Sequence, residues 1–292
     1  MITMSRLGRM GRLGNQMFQY AMLLELQERY GYEVAIPTSS NCCAGGDRMD
    51  SGGFRLSARL LEGNQVPRLD NTFVEARRPF DPAVFDIEDG TDLIGYFQSA
   101  QYFQAAEARI RSEFTFQPPL QNAANVLLKQ ISAEADGRPL CGIHVRRGDY
   151  LQENAARPGS RHVLTPGDIV ELKRRFADRQ IDAAYVVASD DIRWCRDNLG
   201  AEHFFLEGRS HFFDMCVLSQ CDHMILSCSS FSWWAAYLQD SSERLRVVPG
   251  LWHPDRNIQR GRRDPAASDG ALHGQGARQG IPEVAVCEAR SP

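Results

Sequence analysis

The fold of this chain is constrained most by a regular alternation of short apolar segments with helix-like segments between residues 139 and 250. Parallel strands cannot be joined by tight turns and need a crossover, which is usually a helix. An alternation of strands and helices therefore favours a doubly wound α/β sheet whose strands run parallel. The strands are predicted at 140–145, 183–188, 203–206, 223–227 and 245–248.

Capping residues set the limits of the helices between these strands. Thr165, Pro166 and Asp168 supply an N-cap, a first-turn proline and an acidic third residue, which predicts a helix from there to about residue 178. Gly200 is placed to end another helix, since glycine adopts the left-handed conformation found at many helix ends. The other helices are predicted at 191–199, 212–220 and 232–238.

The amino-terminal part begins in a similar way but then becomes less regular. Gly14 and Asn15 precede a helix-like run at 16–30, which ends at Gly31. Glycine pairs and the loss of an apolar period then indicate an irregular connection. The elements predicted here are a strand at 33–36, the irregular connection at 39–70, and helices at 99–113 and 120–134.

This change of pattern divides the chain into two domains. The boundary falls within 116–138, where Gln117 precedes two prolines. After Pro254 no apolar period is present, which is typical of a mobile segment. The predicted organisation is an amino-terminal domain at 1–125, a Rossmann-like domain at 126–255 and a flexible tail at 256–292.

Charge and hydropathy exclude several classes of protein. The net charge is −4, and of 33 basic residues only Lys129 and Lys173 are lysine, so no nucleic-acid-binding surface is expected. No apolar run approaches the roughly 18 residues of a membrane span, and no charged and then apolar leader opens the sequence. The eight cysteines form no CxxC pair, so neither a zinc site nor a redox motif is indicated. We expect a soluble, cytoplasmic protein with reduced thiols, no metal and no transmembrane segment.

Polar segments follow three of the predicted strands. HVRRGDY (144–150) ends the first strand, Ser189-Asp190-Asp191 follows the second, and SCSSFS (227–232) follows the fourth. Because ligands bind outside the carboxyl ends of parallel strands, we expect these segments to share one edge. Guanidinium groups, hydroxyls and the N–H groups of a helix start suit phosphate oxygens, and an aspartate can accept from guanine. Together they match a nucleoside diphosphate.

Each segment also has a purely structural interpretation. Arg146 and Arg147 can form a solvated rim paired with Asp149. Ser189-Asp190-Asp191 can be only a helix N-cap, and the serine cluster can cap a core helix. A P-loop would need GxxxxGK[ST], which the sequence lacks, and the glycines of GRMGRLGN (8–15) do not have the GxGxxG spacing of a dinucleotide-binding domain.

Four stretches match a known family in the same order along the chain. They are GRLGNQMFQYA (11–21), HVRRGDY (144–150), ASDDIRWCRDNL (188–199) and FFDMCVLSQCDHMILSCSSFSWWAAYL (212–238). They resemble the family-11 α-1,2-fucosyltransferases. The resemblance implies an α/β, GT-B-type fold of two Rossmann-like domains facing across a cleft, with GDP-fucose in the carboxyl-terminal domain and the acceptor on the amino-terminal side. It also implies inverting, metal-independent transfer of L-fucose from GDP-β-L-fucose to the 2-hydroxyl of a terminal β-galactoside, without a cofactor.

The resemblance also assigns residues to the donor. It implies that Arg146 binds the β-phosphate and neutralises charge on the departing GDP. His144 either faces the nucleotide or is a packed residue that orients its neighbours. Asp191, or else Asp190, reads guanine. The other donor-binding candidates are Arg147, Ser189, Ser229, Ser230 and Ser232, joined by Gly14 and Gln16 from the first domain.

Three further residues are candidates for catalysis. Asn15 is either an N-cap or a donor near the reacting atoms, and the GxxGNQ pattern of related enzymes favours the second. An inverting transfer needs a base for the acceptor hydroxyl, and Asp149 and Glu153 are the candidates. Asp149 could instead serve only to fix Arg147, and a strongly dissociative transfer would need little base.

Two other functions stay open at this point. One is a GDP-fucose-dependent transferase that forms another linkage, such as α-1,6. The other is a non-catalytic nucleotide- or glycan-binding relative, although Arg146 and Asn15 are both present. The identity of the galactoside and a peripheral association with a membrane are also left open.

Overall fold

The computed structural model describes residues 1–38, 48–62, 65–76, 80–159, 161–239 and 244–249, and the backbone of 284–286. The chain forms two compact units. The first unit contains Met1–Gln130 together with Gly208–Val217 and Trp233–Leu238. The second contains Ile131–Glu207, Leu218–Ser232 and the described residues from Gln239 onward.

Five parallel strands of the described residues form the sheet of the first unit. They are β1 (Ile2–Thr3), β2 (Val34–Pro37), β3 (Arg59–Leu61), β4 (Asn71–Val74) and β5 (Thr91–Ile94), in the order β3-β2-β1-β5-β4. The first helix, α1 (Leu13–Tyr30), follows β1, and nearly every residue from Leu13 to Leu26 is buried. Burial on all sides identifies α1 as a central helix of this unit. Two further helices are α2 (Glu107–Glu113) and α3 (Pro118–Glu134).

Six parallel strands of the described residues form the sheet of the second unit. They are β6 (Leu140–Val145), β7 (Ala184–Ser189), β8 (Phe204–Phe205), β9 (His223–Ile225), β10 (Arg246–Val248) and β11 (Val284–Val286). The order is β11-β10-β9-β6-β7-β8, which is the 3-2-1-4-5-6 arrangement of the Rossmann fold. The direction of winding reverses between β6 and β9. Helices α4 (Gly148–Ala156), α5 (Pro166–Ala177) and α6 (Ile192–Leu199) belong to this unit, while the residues of α7 (His211–Gln220) and α8 (Ser230–Tyr237) are divided between the two units.

Strand β6 is the centre of the second sheet and is covered on both faces. All six of its residues are buried. Cys141, Ile143 and Val145 belong to a core cluster with the apolar side chains of α5. On the other face, a Cβ added at Gly142 would lie 2.8 Å from the Leu218 side chain of α7, so glycine allows close packing there. Burial on both faces explains why the strand reads as one apolar run.

The elements predicted for residues 139–250 are confirmed, with limits that shift by a few residues. Strand β6 has the predicted limits. Helix α5 begins with the predicted capping box, in which the Asp168 N–H donates to Thr165 Oγ1 at 3.2 Å and the Thr165 N–H donates to Asp168 Oδ2 at 2.8 Å. Gly200 ends α6 as predicted, but its φ of 91° and ψ of 149° are not those of the left-handed helical conformation. The prediction of an α/β chain with two parallel, Rossmann-like sheets is also confirmed.

Three predictions for the first unit are wrong. The helix predicted at 99–113 is a 3-10 turn at Ala100–Tyr102 followed, after a break, by α2. Strand β3 lies inside the stretch predicted to be irregular, and β1, β4 and β5 were not predicted. These strands are short, and β3 and β4 are largely exposed, so they carry no apolar period. Helix α1 begins at Leu13 with Arg12 as its N-cap, not at residue 16. Asn15 therefore lies inside the first turn and is not an N-cap.

The division of the chain is more interleaved than predicted. The boundary after Gln130 lies close to the predicted one at 125/126, but the segments 208–217 and 233–238 belong to the first unit. The rings of Phe212 and Phe54 meet edge-on at 5.1 Å, and Trp234 packs on Phe18 at 4.9 Å. These contacts explain why the two segments join that unit.

The predicted tail, 256–292, lies outside the described residues except for β11. That strand pairs in parallel with β10, with Arg246 opposite Val284. The prediction of a flexible tail is therefore wrong for these three residues, because their main chain adds a strand to the second sheet.

Candidate active site

Three polar segments lie at one edge of the second sheet. Strands β7 and β9 are the two neighbours of β6, and Val145 stands opposite Ser189 in the register between β6 and β7. The residues that follow these strands therefore leave the sheet side by side. In a sheet of this order, the point between β6 and β9 is where ligands bind.

Arg146 is held between two carboxylates. Its Nη1 lies 2.8 Å from Asp190 Oδ2, and its Nη2 lies 2.7 Å from Asp149 Oδ1. The Arg146 side chain is 12% exposed. Its guanidinium also lies 5.5 Å from the ring centre of Tyr150, within the range of a cation–π contact. The guanidinium is thus fixed at the strand end before any ligand binds.

Asp190 connects the end of β7 to the loop after β6. Its Oδ1 accepts hydrogen bonds from the main-chain N–H groups of Arg147 at 2.9 Å and Gly148 at 3.3 Å. It thereby satisfies two of the N–H groups that a helix start leaves without intrahelical partners, here those of α4. A Cβ at Gly148 would stand 2.6 Å from Asp190 Oδ2, so glycine is needed for this close approach.

Arg147 is fixed by residues at the start of α6. Its Nε lies 3.2 Å from Asp191 Oδ2, and its guanidinium lies 3.6 Å from the ring centre of Trp194. Asp191 is the N-cap of α6, since its Oδ1 accepts from the Trp194 N–H at 3.3 Å. The Asp191 N–H in turn donates to Ser189 Oγ at 2.9 Å. Asp191 is therefore a helix N-cap, as the structural interpretation of this segment predicted. Asp190 instead accepts hydrogen bonds from the loop that follows β6.

His144 lies in a buried hydroxyl network. It is 6% exposed, and its Nδ1 lies 2.9 Å from Ser227 Oγ and 2.5 Å from Ser232 Oγ. The two hydroxyls are themselves 2.9 Å apart. The ring packs on Phe231 with centroids 4.7 Å apart. This network joins the end of β6 to the start of α8. Both roles of His144, facing the nucleotide or orienting its neighbours, stay predictions.

The predicted serines differ in their surroundings. Ser232 is fully buried with its hydroxyl in the His144 network. Ser229 is 7% exposed, and its Oγ accepts from the Phe231 N–H at 3.3 Å. Ser230 is the first residue of α8. The start of α8 thus lies at the edge where β6 and β9 end, and its positive dipole end favours an anion there.

The two predicted bases have different partners. Glu153 is paired with Arg161, with Oε2 and Nε 2.6 Å apart. Asp149 lies in the first turn of α4 and pairs with Arg146. Arg147 pairs with Asp191 at the neighbouring strand end, and the alternative in which Asp149 fixes Arg147 stays a prediction.

The remaining predicted residues lie in the first unit. Gly14, Asn15 and Gln16 form the first turn of α1 after Leu13. Asn15 Oδ1 accepts from Gln98 Nε2 at 2.5 Å, and Gln16 Oε1 accepts from the Met49 N–H at 3.0 Å.

Gly11 has a φ of 87°, and a Cβ there would overlap the Asn15 side chain. The glycine therefore leaves room for the Asn15 amide.

Three neighbours of these residues were missed by the sequence reasoning. Tyr150 donates from its hydroxyl to the Cys228 carbonyl at 2.8 Å, and burial raises the pKa of Tyr150 to about 12. Trp194 stacks on Arg147, and Gln98 binds Asn15. Tyr150 and Trp194 lie inside the matched motifs. Their aromatic rings, close in sequence to the charged residues, could have indicated cation–π contacts with the arginines. Gln98 follows no pattern that could have indicated it.

Two properties of the described residues concern membranes and metals. No helix in this part of the chain combines the length and the apolar character needed to cross a bilayer. In the same residues, no three His, Cys, Asp or Glu side chains are grouped so that they could hold a metal ion.

Known relatives share much of the sequence. The chain is 32% identical over 242 residues to galactoside alpha-(1,2)-fucosyltransferase 1 of Saimiri boliviensis boliviensis. It is 32% identical over 245 residues to the protein of the same name from Lagothrix lagotricha. Each alignment covers 78% of this chain and 63% of the relative, so the chain spans less than two thirds of the length of the curated relatives that it matches.

Solved structures share the fold. The chain is similar to NodZ alpha-1,6-fucosyltransferase co-crystallized with GDP, with a TM-score of 0.50, 14% identity and coverage of 80% of this chain and 91% of that chain. The fucosyltransferase NodZ from Bradyrhizobium gives the same TM-score and identity, over 80% of this chain and 92% of that one. The GT-B-type assignment is confirmed.

A sequence model of the family described as glycosyl transferase family 11 matches residues 83–257, which is more than half of the chain. The match contains the arginine, aspartate and serine segments that meet at the edge of the second sheet. The chain therefore belongs to glycosyl transferase family 11.

Proposed function

We propose that the chain is an inverting glycosyltransferase that moves L-fucose from GDP-β-L-fucose to the 2-hydroxyl of a terminal β-galactoside, forming an α-1,2 linkage. The observation that carries the proposal is Arg146, fixed by Asp149 and Asp190 at the point where the Rossmann-type order reverses. Membership of family 11 supports it. So do the names of the relatives, which are galactoside alpha-(1,2)-fucosyltransferases.

In this proposal the second unit binds the donor. Arg146 binds the β-phosphate, and the start of α8 at Ser230 receives further phosphate oxygens. His144 positions that helix through Ser232. Asp191 reads guanine while its other oxygen caps α6. The NodZ structure co-crystallized with GDP supports a guanosine diphosphate as the ligand class.

The chemical step is a displacement at the anomeric carbon. The bond from fucose C1 to the β-phosphate oxygen breaks, and a new bond forms from C1 to the galactose 2-oxygen on the opposite face. Negative charge develops on the departing phosphate, and the fixed guanidinium of Arg146 stabilises it without reorganisation. The proton of the acceptor hydroxyl passes to a carboxylate, for which Asp149 and Glu153 remain the candidates. Asn15 acts near the reacting atoms, and Gln98 holds its amide.

No metal ion or cofactor is required in the proposed reaction, since arginine supplies the positive charge. The cytoplasmic location and a peripheral association with a membrane stay predictions, as does the particular galactoside.

The test is a transfer assay with GDP-fucose and lactose or N-acetyllactosamine, performed in EDTA. Formation of a fucosylated trisaccharide with release of GDP is expected. The proposal fails if no β-galactoside is fucosylated and GDP-fucose does not bind. Transfer only after a divalent cation is restored would contradict the metal-independent part alone.

A further inference from the structure

The two carboxylates on Arg146 have different surroundings, and we propose that they have different functions in donor binding. Asp190 is a permanent clamp on Arg146. Asp149 holds the same guanidinium only until a phosphate oxygen of the donor takes its place. The inference rests on the proposed function, because it concerns the phosphate of a nucleoside diphosphate.

Asp190 is a positioning residue that cannot leave without a large penalty. Its side chain is 14% exposed. Besides the ion pair to Arg146 Nη1, it accepts from the N–H groups of Arg147 and Gly148. Displacing it would take this acceptor from two main-chain N–H groups and from Arg146 Nη1 at once, so three interactions are lost together.

Asp149 can leave Arg146 at a lower penalty. Its side chain is 37% exposed, although Oδ1, the oxygen on Arg146, is itself buried, so the carboxylate gains full contact with water only when it turns away from Arg146. It lies in the first turn of α4, where the helix dipole favours a negative charge even without the ion pair. Because Asp149 is partly exposed, water screens part of the Coulomb energy of its ion pair with Arg146. Asp149 is therefore the weaker of the two carboxylates that hold this guanidinium.

The local charge favours this exchange. The group formed by Arg146, Asp149 and Asp190 has two negative charges and one positive charge. Its net negative charge repels an approaching phosphate. When Asp149 moves into solvent, Arg146 keeps its pair with Asp190 and presents Nη2 to the phosphate. Hydrogen bonds between guanidinium and phosphate are charge-assisted and short, so a phosphate oxygen can replace the exposed carboxylate.

The test compares GDP binding by isothermal titration calorimetry to the unsubstituted chain, Asp149→Asn and Asp190→Asn. Asp149→Asn removes the competing charge and should lower the Kd for GDP about fivefold. Asp190→Asn weakens the clamp and should raise the Kd about tenfold. Gly148→Ala places a Cβ against Asp190 Oδ2 and should raise the Kd as well. Guanosine, which has no phosphate, should bind Asp149→Asn and the unsubstituted chain alike.

The outcomes separate this inference from the proposed function. If the unsubstituted chain does not bind GDP, both fail. If it binds GDP and Asp149→Asn binds more weakly or equally, the inference is overturned and the proposed function stands. If circular dichroism shows that Asp149→Asn is unfolded, Asp149→Ser takes its place with the same expectation. A Kd unchanged by Asp190→Asn would also overturn the inference.

Discussion

Replacing Arg146 by alanine removes a positive charge that both Asp149 and Asp190 contact. A preorganised donor that faces charge developing in the transition state contributes about 3 kcal/mol, which is roughly 150-fold in kcat/KM. We therefore expect Arg146→Ala to lose at least that much. Arg146→Lys keeps a charge but not the fork that reaches two carboxylates, so an intermediate loss is expected.

Arg146→Ala should also lower the free energy of unfolding, and the contacts of Asp190 limit how large that loss can be. Without the guanidinium, Asp190 is left partly buried, but it keeps the N–H groups of Arg147 and Gly148. Loss of one partner of a partly buried charged group costs about 1–3 kcal/mol, which is less than the free energy of unfolding of an ordinary domain. Arg146→Ala should therefore remain folded, with a lower midpoint in urea unfolding.

The assay measures initial rates over a range of GDP-fucose concentrations at fixed acceptor. The matched control is Arg174→Ala, because Arg174 is exposed and pairs with Glu171 in α5. The last turn of α5 precedes β7, so it lies toward the opposite edge of the sheet. The control should keep the full rate. The reasoning is refuted if folded Arg146→Ala keeps a kcat/KM close to that of the control.

Two other predictions follow from contacts in the second unit. Tyr150→Phe removes the hydrogen bond to the Cys228 carbonyl, which should lower Tm by about 2–4 °C and weaken GDP binding severalfold; an unchanged Tm in calorimetry would contradict this. Burial and then the neighbouring Lys173 lower the pKa of His203, so the folded protein resists a proton that the unfolded chain accepts. The free energy of unfolding should fall as pH drops below about 6.5, and less so in His203→Gln; equal slopes in urea unfolding between about pH 7.5 and 5.5 would argue against this.

The second sheet could be predicted from the sequence because its strands are buried on both faces. Leu140–Val145 is one apolar run, and Thr165 and Gly200 mark helix ends by their own chemistry. In the first sheet, β2 was predicted at 33–36 and is buried, but the other strands offered no such signal. Strand β1 has two residues, and β4 is mostly exposed, so pairing with neighbours rather than composition makes them strands.

The candidate site was predictable in its residue types but not in its pairs. Arg146 and Asp190 are far apart in sequence, and only the register that sets Val145 opposite Ser189 brings them together. For Asn15, the residue type alone suggested the wrong local role. Its type suits an N-cap, but α1 starts earlier and its amide binds Gln98 instead.

The central claim is tested most directly by the linkage in the product. Incubation with GDP-fucose and lactose, followed by NMR of the purified trisaccharide, should show through-bond correlation from fucose C1 to the 2-position of galactose and an α configuration at that carbon. A fucose attached at any other position, or with retained β configuration, would contradict the account.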